Sequence, residues 1–385
     1  MWIDREIQNL LPGLVRSRPV VVVTGARQTG KTSLLQKLLP DIRYISLDLP
    51  SDAELANRQP RVFMTRYPPP LIVDEVQYAP RLFRHIKYVV DADRPRNGQF
   101  ILTGSQRFGL MKEVSDSLAG RIEVVDLEPL SAREIRNTIK NISLTDLILR
   151  GGYPELYRSR GLDSHRFYRS YIATYLERDV RTLLGVSSLR DFERFLRACA
   201  LRTAQLLNKA DLARDVGISP STANQWLSVL QASAQVVLLE PYFSNQTRSL
   251  VKSPKLYLTD TGVLAALLNI QTADELRRSP LIGAIWETFV FGELRKREAV
   301  RQRSHSIHFW HDRLHEVDFV IDRGGRYEFY DAKWTEEPDS GDASQMEYLR
   351  QTVGSQNVIK AGVICRTHTP FPLSRKVRAI SIDDL

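Results

Sequence analysis

Residues 20–32 read VVVVTGARQTGKT, four consecutive valines followed by a glycine-bounded loop, a lysine and a threonine. A short run of β-branched residues is the pattern of a strand buried on both faces, as in a parallel sheet. Gly25, Gly30, Lys31 and Thr32 fit G-x-x-x-x-G-K-[ST], and the motif stands between that strand and the helical stretch TSLLQKLL, the context it requires. The glycines let backbone N–H groups curl around a phosphate, and the helix start adds the positive end of its dipole. Lys31 then reaches the β/γ oxygens while the Thr32 hydroxyl serves Mg²⁺. Gly25, Ala26, Arg27, Gln28, Thr29, Gly30, Lys31, Thr32 and Ser33 form the candidate cradle, with ATP and Mg²⁺ as its expected ligands.

Outward from the loop, apolar runs alternate with helical stretches: RYISLD at 43–48, LIVD at 71–74, QFILTG at 99–104 and IEVVDL at 122–127. This alternation predicts a parallel sheet wrapped by helices. LIVDE ends a strand in two carboxylates: Asp74 is placed to hold the metal and Glu75 to orient and deprotonate the attacking water. Thr103 or Ser105, at the end of FILTGSQ, is the expected polar sensor of the γ-phosphate, with Ser105 preferred. Arg121, just before IEVVDL, is the candidate arginine finger for a neighbouring subunit's nucleotide. That role entails a homo-oligomer, a ring such as a hexamer.

The 385 residues predict two or three domains, and 43% hydrophobic with 26% charged residues predicts a soluble chain. No apolar run approaches the roughly 20 residues that span a bilayer, so no membrane association is expected. The opening MWIDREIQNLLPGL lacks the features of a signal peptide, which points to the cytoplasm. Two isolated cysteines, Cys199 and Cys365, exclude a disulfide framework. The net charge of +9 favours a polyanionic partner such as DNA.

Past residue 130 the spacing of apolar residues becomes helical, as in FYRSYIATYLERDVRTLL and DFERFLRACALRTAQLL. LNKADLARDVGISPSTANQWLSVLQAS at 207–233 has the form of a helix-turn-helix, with Gly217 in the turn and Ser219 capping a helix that begins at Pro220. That second helix offers Ser221, Thr222, Asn224 and Gln225 to a groove but no Arg or Lys, so protein contact remains an alternative to DNA. In the last third, GAIWETFVFGELRKRE precedes the strand-like runs SIHFWH, EVDFVID and YEFYDAK. Asp331 and Lys333 share one strand face, Asp318 lies on another strand and Glu287 on the helix. Together they form a candidate Mg²⁺-dependent phosphodiesterase site, with Asp318 and Asp331 as metal ligands. His305, His308, His311 and His315 cluster nearby, solvated or metal-ligating.

The combination GARQTGKT, LIVDEVQ, ILTGSQ, LAGRIEVVDLEPLSAREI and GGYPE resembles the AAA+-superfamily ATPases of the AAA_14 group, whose members carry a C-terminal DUF4143 domain. KSPKLYLTDTG resembles a segment of that DUF4143 domain. The resemblance implies an α/β fold with an ASCE-type parallel sheet in strand order 5-1-4-3-2. The expected organisation is a P-loop core at 1–130, a helical lid at 131–187, a winged-helix domain at 188–275 and an α+β unit at 276–385. No second sensor arginine is assigned in the lid. WETFVFGEL, EVDFVI and FYDAK are similar in order and spacing to the PD-(D/E)XK nuclease fold, with Asp331 in place of the commoner glutamate. Two functions follow. One is an ATP-driven enzyme that binds and processes DNA, branched DNA among it, through a nuclease-like domain. The other is a nucleotide-gated switch that controls a protein partner, with a C-terminal fold that only binds.

Overall fold

The computed structural model describes residues 1–104, 117–159, 161–175, 189–242, 253–303, 306–312 and 314–385. They divide into two compact units, the first comprising Met1–Leu130 with Tyr153–Glu155 and Ala232–Ala234, the second the remainder.

The first unit is built on five strands: β1 (Val20–Thr24), β2 (Arg43–Ser46), β3 (Leu71–Asp74), β4 (Phe100–Gly104) and β5 (Ile122–Asp126). All pair in parallel, in the order β2-β3-β4-β1-β5. Read from the other edge this is 5-1-4-3-2, the order that the resemblance implied. The continuous apolar runs are the central strands, and every residue of β1, β3 and β4 is buried. Successive side chains point to opposite faces, so each valine pair serves a different core. Val20 and Val22 pack with Leu71, Val73, Phe83 and Ile86, whereas Val21 and Val23 pack with Ile7, Leu34, Leu35 and Ile72. The register sets Val23 beside Thr103 and Val73 beside Leu102. The loop after β1, the end of β3 and the end of β4 therefore gather at one edge of the sheet.

In the second unit, the helix Leu189–Ala200, β6 (Gln205–Leu206), the helices Lys209–Val216 and Pro220–Ala232, β7 (Val236–Leu239) and β8 (Lys255–Leu258) follow in chain order. This is the helix, strand, helix, helix, strand, strand order of a winged helix. Gly217 ends the helix Lys209–Val216 at φ 81°, where a side chain would be strained, and the Ser219 hydroxyl accepts the Thr222 N–H at 3.1 Å. Trp226 packs edge-on against Phe192 and Phe195, with ring centroids 5.2 and 5.3 Å away.

The same unit contains the helix Ile282–Val300, β9 (Ile307–His311), β10 (Glu316–Asp322), β11 (Tyr327–Ala332), the helix Ser344–Val353, β12 (Val358–Ile364), β13 (Phe371–Pro372) and β14 (Arg378–Ile380). The six strands run β13-β14-β12-β11-β10-β9, antiparallel from β9 to β11 and parallel from β11 through β12 to β14. Beside the sheet, Glu298 is fully buried and accepts from Arg323 at 2.7 Å, Arg297 at 3.1 Å and Ser306 at 3.1 Å. Glu328 shares both arginines, at 2.7 and 3.0 Å.

Burial opposes the charge of Glu298, yet its bond to Arg323 and the neighbouring guanidiniums hold its carboxyl below the usual range. Its stabilising contribution is therefore complete above the unfolded carboxylate value, near pH 4.5, and is lost as pH falls through the lower folded value. Breaking a buried ion network by removing one partner costs about 3–5 kcal/mol. Glu298→Ala is expected to lower unfolding free energy in urea by about that much at pH 7, with a smaller difference from the parent at pH 3.

Candidate nucleotide site

Gly25 leaves β1 at φ 148°, and a Cβ there would stand 2.3 Å from the Leu127 carbonyl oxygen. Only glycine lets the loop pass this strand end. Gly30 at φ 91° then turns the chain into the helix Lys31–Leu38. The Thr29 hydroxyl donates to the Ala26 carbonyl at 3.0 Å, closing the loop on itself. Arg5, buried at the start of the chain, donates to the carbonyls of Thr29 at 3.1 Å and Glu128 at 2.6 Å. It braces the loop from behind, a role no motif announced.

Lys31 is buried, with Nζ 3.1 Å from the Gly25 carbonyl and 2.9 Å from that of Ala26. Burial pulls its amine down to about 8, against the opposing pull of the Glu75 and Asp74 carboxylates. A cation so poorly solvated gains strongly from a phosphate at the loop. The Thr32 hydroxyl donates to Asp74 Oδ2 at 2.8 Å. A threonine hydroxyl and a carboxylate set side by side are the hard oxygen donors Mg²⁺ takes, so these residues fit the cation.

Asp74 collects two more hydroxyls. Tyr44 on β2 donates to Oδ2 at 2.8 Å, and Thr103 on β4 donates to Oδ1. Burial, then the hydrogen bond to Asp74, raises the Tyr44 phenol above its usual range, so it stays a donor. Tyr44 was not foreseen from the sequence. Thr103 is fully buried and also accepts the Glu75 N–H at 3.2 Å, so it positions the acidic strand end. Ser105, the preferred sensor, lies outside the described residues. Glu75 sits at φ 53° and ψ 45°, a left-handed conformation that costs a non-glycine residue about 1 kcal/mol or more. Its carboxylate accepts from the Gln77 amide.

Arg121 lies at the other end of the sheet, where its carbonyl accepts the Val20 N–H at 3.3 Å. The five residues of β1 separate it from the loop, a span of about 16 Å. Its guanidinium forms a double bond-pair with Asp91, at 2.6 and 2.9 Å.

In the second unit, Glu287, Asp318 and Asp331 are brought together. Asp331 Oδ1 accepts the Asp318 N–H at 2.9 Å, and Asp318 Oδ2 accepts the Ala332 N–H at 3.0 Å. At their centre stands a residue the sequence reading missed. Lys255, buried on β8, sets its ammonium 3.0 Å from Glu287, 3.1 Å from Asp318 and 2.6 Å from Glu316. The Tyr257 hydroxyl donates to the same Glu287 oxygen at 2.5 Å. Burial, then the Asp318 charge, pushes Glu287 up to about 7 and Asp331 well above the usual carboxylate range. Lys333 does not join them; its ion pair is with Asp342 at 4.0 Å, and its side chain is half exposed. Among the described residues no group of three or more His, Cys, Asp or Glu is arranged to hold a metal ion. Of the histidines, His308 lies edge-on to Tyr242, His311 on the same strand pairs with Glu316 of β10, His315 stacks on Tyr348 with centroids 3.8 Å apart, and His305 lies outside the described residues.

A parallel sheet that closes a glycine loop onto an acidic strand end in this way is the nucleotide-binding end of a P-loop ATPase. The comparisons with known proteins agree. Residues 17–136 match the AAA domain family AAA_14, residues 141–274 a domain of unknown function (DUF8612), and residues 282–385 a domain of unknown function (DUF4143). The uncharacterized protein Rv2008c of Mycobacterium tuberculosis is 31% identical over 99% of this chain and 84% of its own length. The uncharacterized protein MJ1544 of Methanocaldococcus jannaschii is 24% identical over 83% of this chain and 75% of its own. Among solved structures, the Walker-type ATPase PABY2304 of Pyrococcus abyssi is similar at 18% identity and a TM-score of 0.48, over 69% of this chain and 96% of that one. The chain belongs to the AAA_14 and DUF4143 group of AAA+ ATPases, in one family with Rv2008c. KSPKLYLTDTG, residues 252–262, falls within the DUF8612 match and not the DUF4143 one, which corrects its expected placement. No helix among the described residues is long and apolar enough to cross a membrane.

Tyr44→Phe removes a single hydrogen bond to the Asp74 carboxylate, worth about 1.5–3 kcal/mol. It is expected to slow ATP hydrolysis about tenfold or more while the affinity for a fluorescent ATP analogue stays unchanged; a loss of binding instead would show that Tyr44 only holds the fold. Lys255→Met takes the cation from the carboxylate cluster and is expected to lower stability by about 3–5 kcal/mol. Millimolar Mn²⁺ should restore part of that loss in a thermal melt of the variant and leave the parent unmoved.

Proposed function

We propose that the protein is an ATP hydrolase that responds to DNA, and that its C-terminal sheet binds without cutting. The observation that carries the hydrolase reading is the convergence of Lys31, Thr32, Asp74 and Glu75 at one sheet edge. Lys31 exchanges its two loop carbonyls for β/γ oxygens. Thr32 and Asp74 would hold Mg²⁺, which would supply charge neutralisation at the phosphates. Glu75, one residue beyond the buried strand, accepts the proton of the attacking water.

Arg121 is too far from its own loop to serve it, so its finger role is in trans. In a ring of identical subunits it exchanges Asp91 for the neighbour's γ-phosphate oxygens, which makes hydrolysis depend on assembly.

The DNA reading draws support from the net charge of +9 and from a winged-helix order whose second helix exposes Ser221, Asn224 and Gln225. The helix, three strands, helix, strand order of the C-terminal sheet is similar to that of PD-(D/E)XK nucleases. Against a cleaving site stands the Lys255 ammonium among the carboxylates, together with Lys333 directed to Asp342. The non-cleaving form of that fold is therefore the better reading.

ATPase rate measured against single-stranded, duplex and four-way DNA, with Mg²⁺, tests this. The parent is expected to be stimulated several-fold by at least one DNA form and to leave all of them intact. Glu75→Gln should retain ATP binding and lose at least 100-fold in hydrolysis. Hydrolysis indifferent to every nucleic acid would favour the nucleotide-gated switch acting on a protein partner.

A further inference from the structure

The second helix of the winged-helix segment carries no Arg or Lys, so a nucleic-acid partner must find its cationic counterpart elsewhere. One groove of about 780 Å³ in the first unit supplies it. Arg58, Arg61 and Val62 from one segment and Arg81, Arg84 and His85 from another line it, and no acidic residue does. Arg58 pairs with Glu54 at 2.9 Å. Arg61, Arg81 and Arg84 are exposed, and their guanidiniums have no ion pair among the described residues.

Guanidiniums without an ion pair that line one groove repel one another, and no acidic residue lines the groove to offset this. Planar guanidiniums present paired donors that match phosphate oxygens. A second observation narrows the ligand. Arg81, Arg84 and Tyr88 follow one another at helical spacing, on the side of the helix Leu82–Ala92 away from its buried Leu82, Phe83, Ile86 and Val90. Tyr88 is 77% exposed. A cationic track flanked by an exposed ring is the arrangement that binds single-stranded nucleic acid, phosphates on the arginines and a base stacked on the aromatic. An acidic peptide would use the arginines but leave the ring idle.

We propose that this groove is a docking surface for single-stranded nucleic acid, with Arg61, Arg81 and Arg84 on the backbone and Tyr88 under a base. The assignment rests on the nucleic-acid reading above and locates its contact on the ATPase unit. The groove's second wall begins at Pro80, five residues after Glu75.

Fluorescence anisotropy with labelled dT20 and U20 tests it, in the parent, in Arg61→Ala/Arg84→Ala and in Tyr88→Ala, with binding of a fluorescent ATP analogue as the folding control. Each phosphate contact on a single strand contributes about −0.7 to the slope of log affinity against log salt. The double variant is expected to lose about 1.4 from the magnitude of that slope, and Tyr88→Ala on the order of tenfold in affinity with the slope unchanged. Unchanged binding in both variants overturns the groove and leaves the nucleic-acid reading standing. No binding by the parent to dT20, U20 or duplex removes both. Arginine-dependent binding of poly-glutamate in place of dT20 overturns the proposal in favour of an acidic protein partner.

Discussion

One carboxylate organises the nucleotide end of this protein. Asp74 is buried at the tip of β3 and accepts hydroxyls from three other elements: Thr32 on the helix after the loop, Tyr44 on β2 and Thr103 on β4. Hydrogen bonds to a charged acceptor in a low-dielectric setting are worth about 1.5–3 kcal/mol each, and an unsatisfied buried carboxylate is far more costly than that gain. The loop, two neighbouring strands and the acidic tip are thus held in one geometry before any phosphate arrives. Lys31 is the complement, a cation kept short of solvent so that phosphate oxygens are its best partners.

How much of this the sequence disclosed depends on how local each signal is. Gly25, Gly30, Lys31 and Thr32 are legible because one short segment must do everything at fixed spacing. The strand order was legible only through the resemblance, since periodicity locates strands but says nothing of neighbours. Tyr44 and Thr103 escaped, or were given another role, because their task follows from register: a hydroxyl on an adjacent strand meets Asp74 only once β2, β3 and β4 are aligned. Arg5 escaped for the same reason, 24 residues from the Thr29 carbonyl it holds.

The C-terminal cluster poses a different problem. Of Glu287, Asp318, Asp331 and Lys333, from which the sequence suggested a metal site, the first three come together from a helix and two strands and Lys333 pairs elsewhere. Carboxylates that converge out of water must protonate or find a cation. Here burial raises Glu287 and Asp331 towards the neutral form, and Lys255 supplies a positive charge from 63 residues before Asp318. A motif search that reads acidic residues in order cannot see a lysine contributed by a preceding sheet.

The short segment between Glu75 and the helix Leu82–Ala92 carries the remaining consequence. Strand β3 is buried along its whole length, and the helix is fixed by Leu82, Phe83, Ile86 and Val90 on its core side. Between these elements the turn Val76–Tyr78 is itself anchored by the buried Val76, and the left-handed Glu75 is held there by its N–H to Thr103 and its carboxylate to Gln77. Under the proposed docking, a polyanion on Arg81 and Arg84 would load the start of that helix, a few residues from Glu75, the proposed general base. Coupling of this kind is reciprocal in binding free energy. If nucleic acid favours the hydrolytic placement of Glu75, a bound nucleotide that favours the same placement must raise the affinity of the groove by the same factor. On that reading the ATP state of the loop would set how tightly a polyanion is held, and hydrolysis would be the step that releases it.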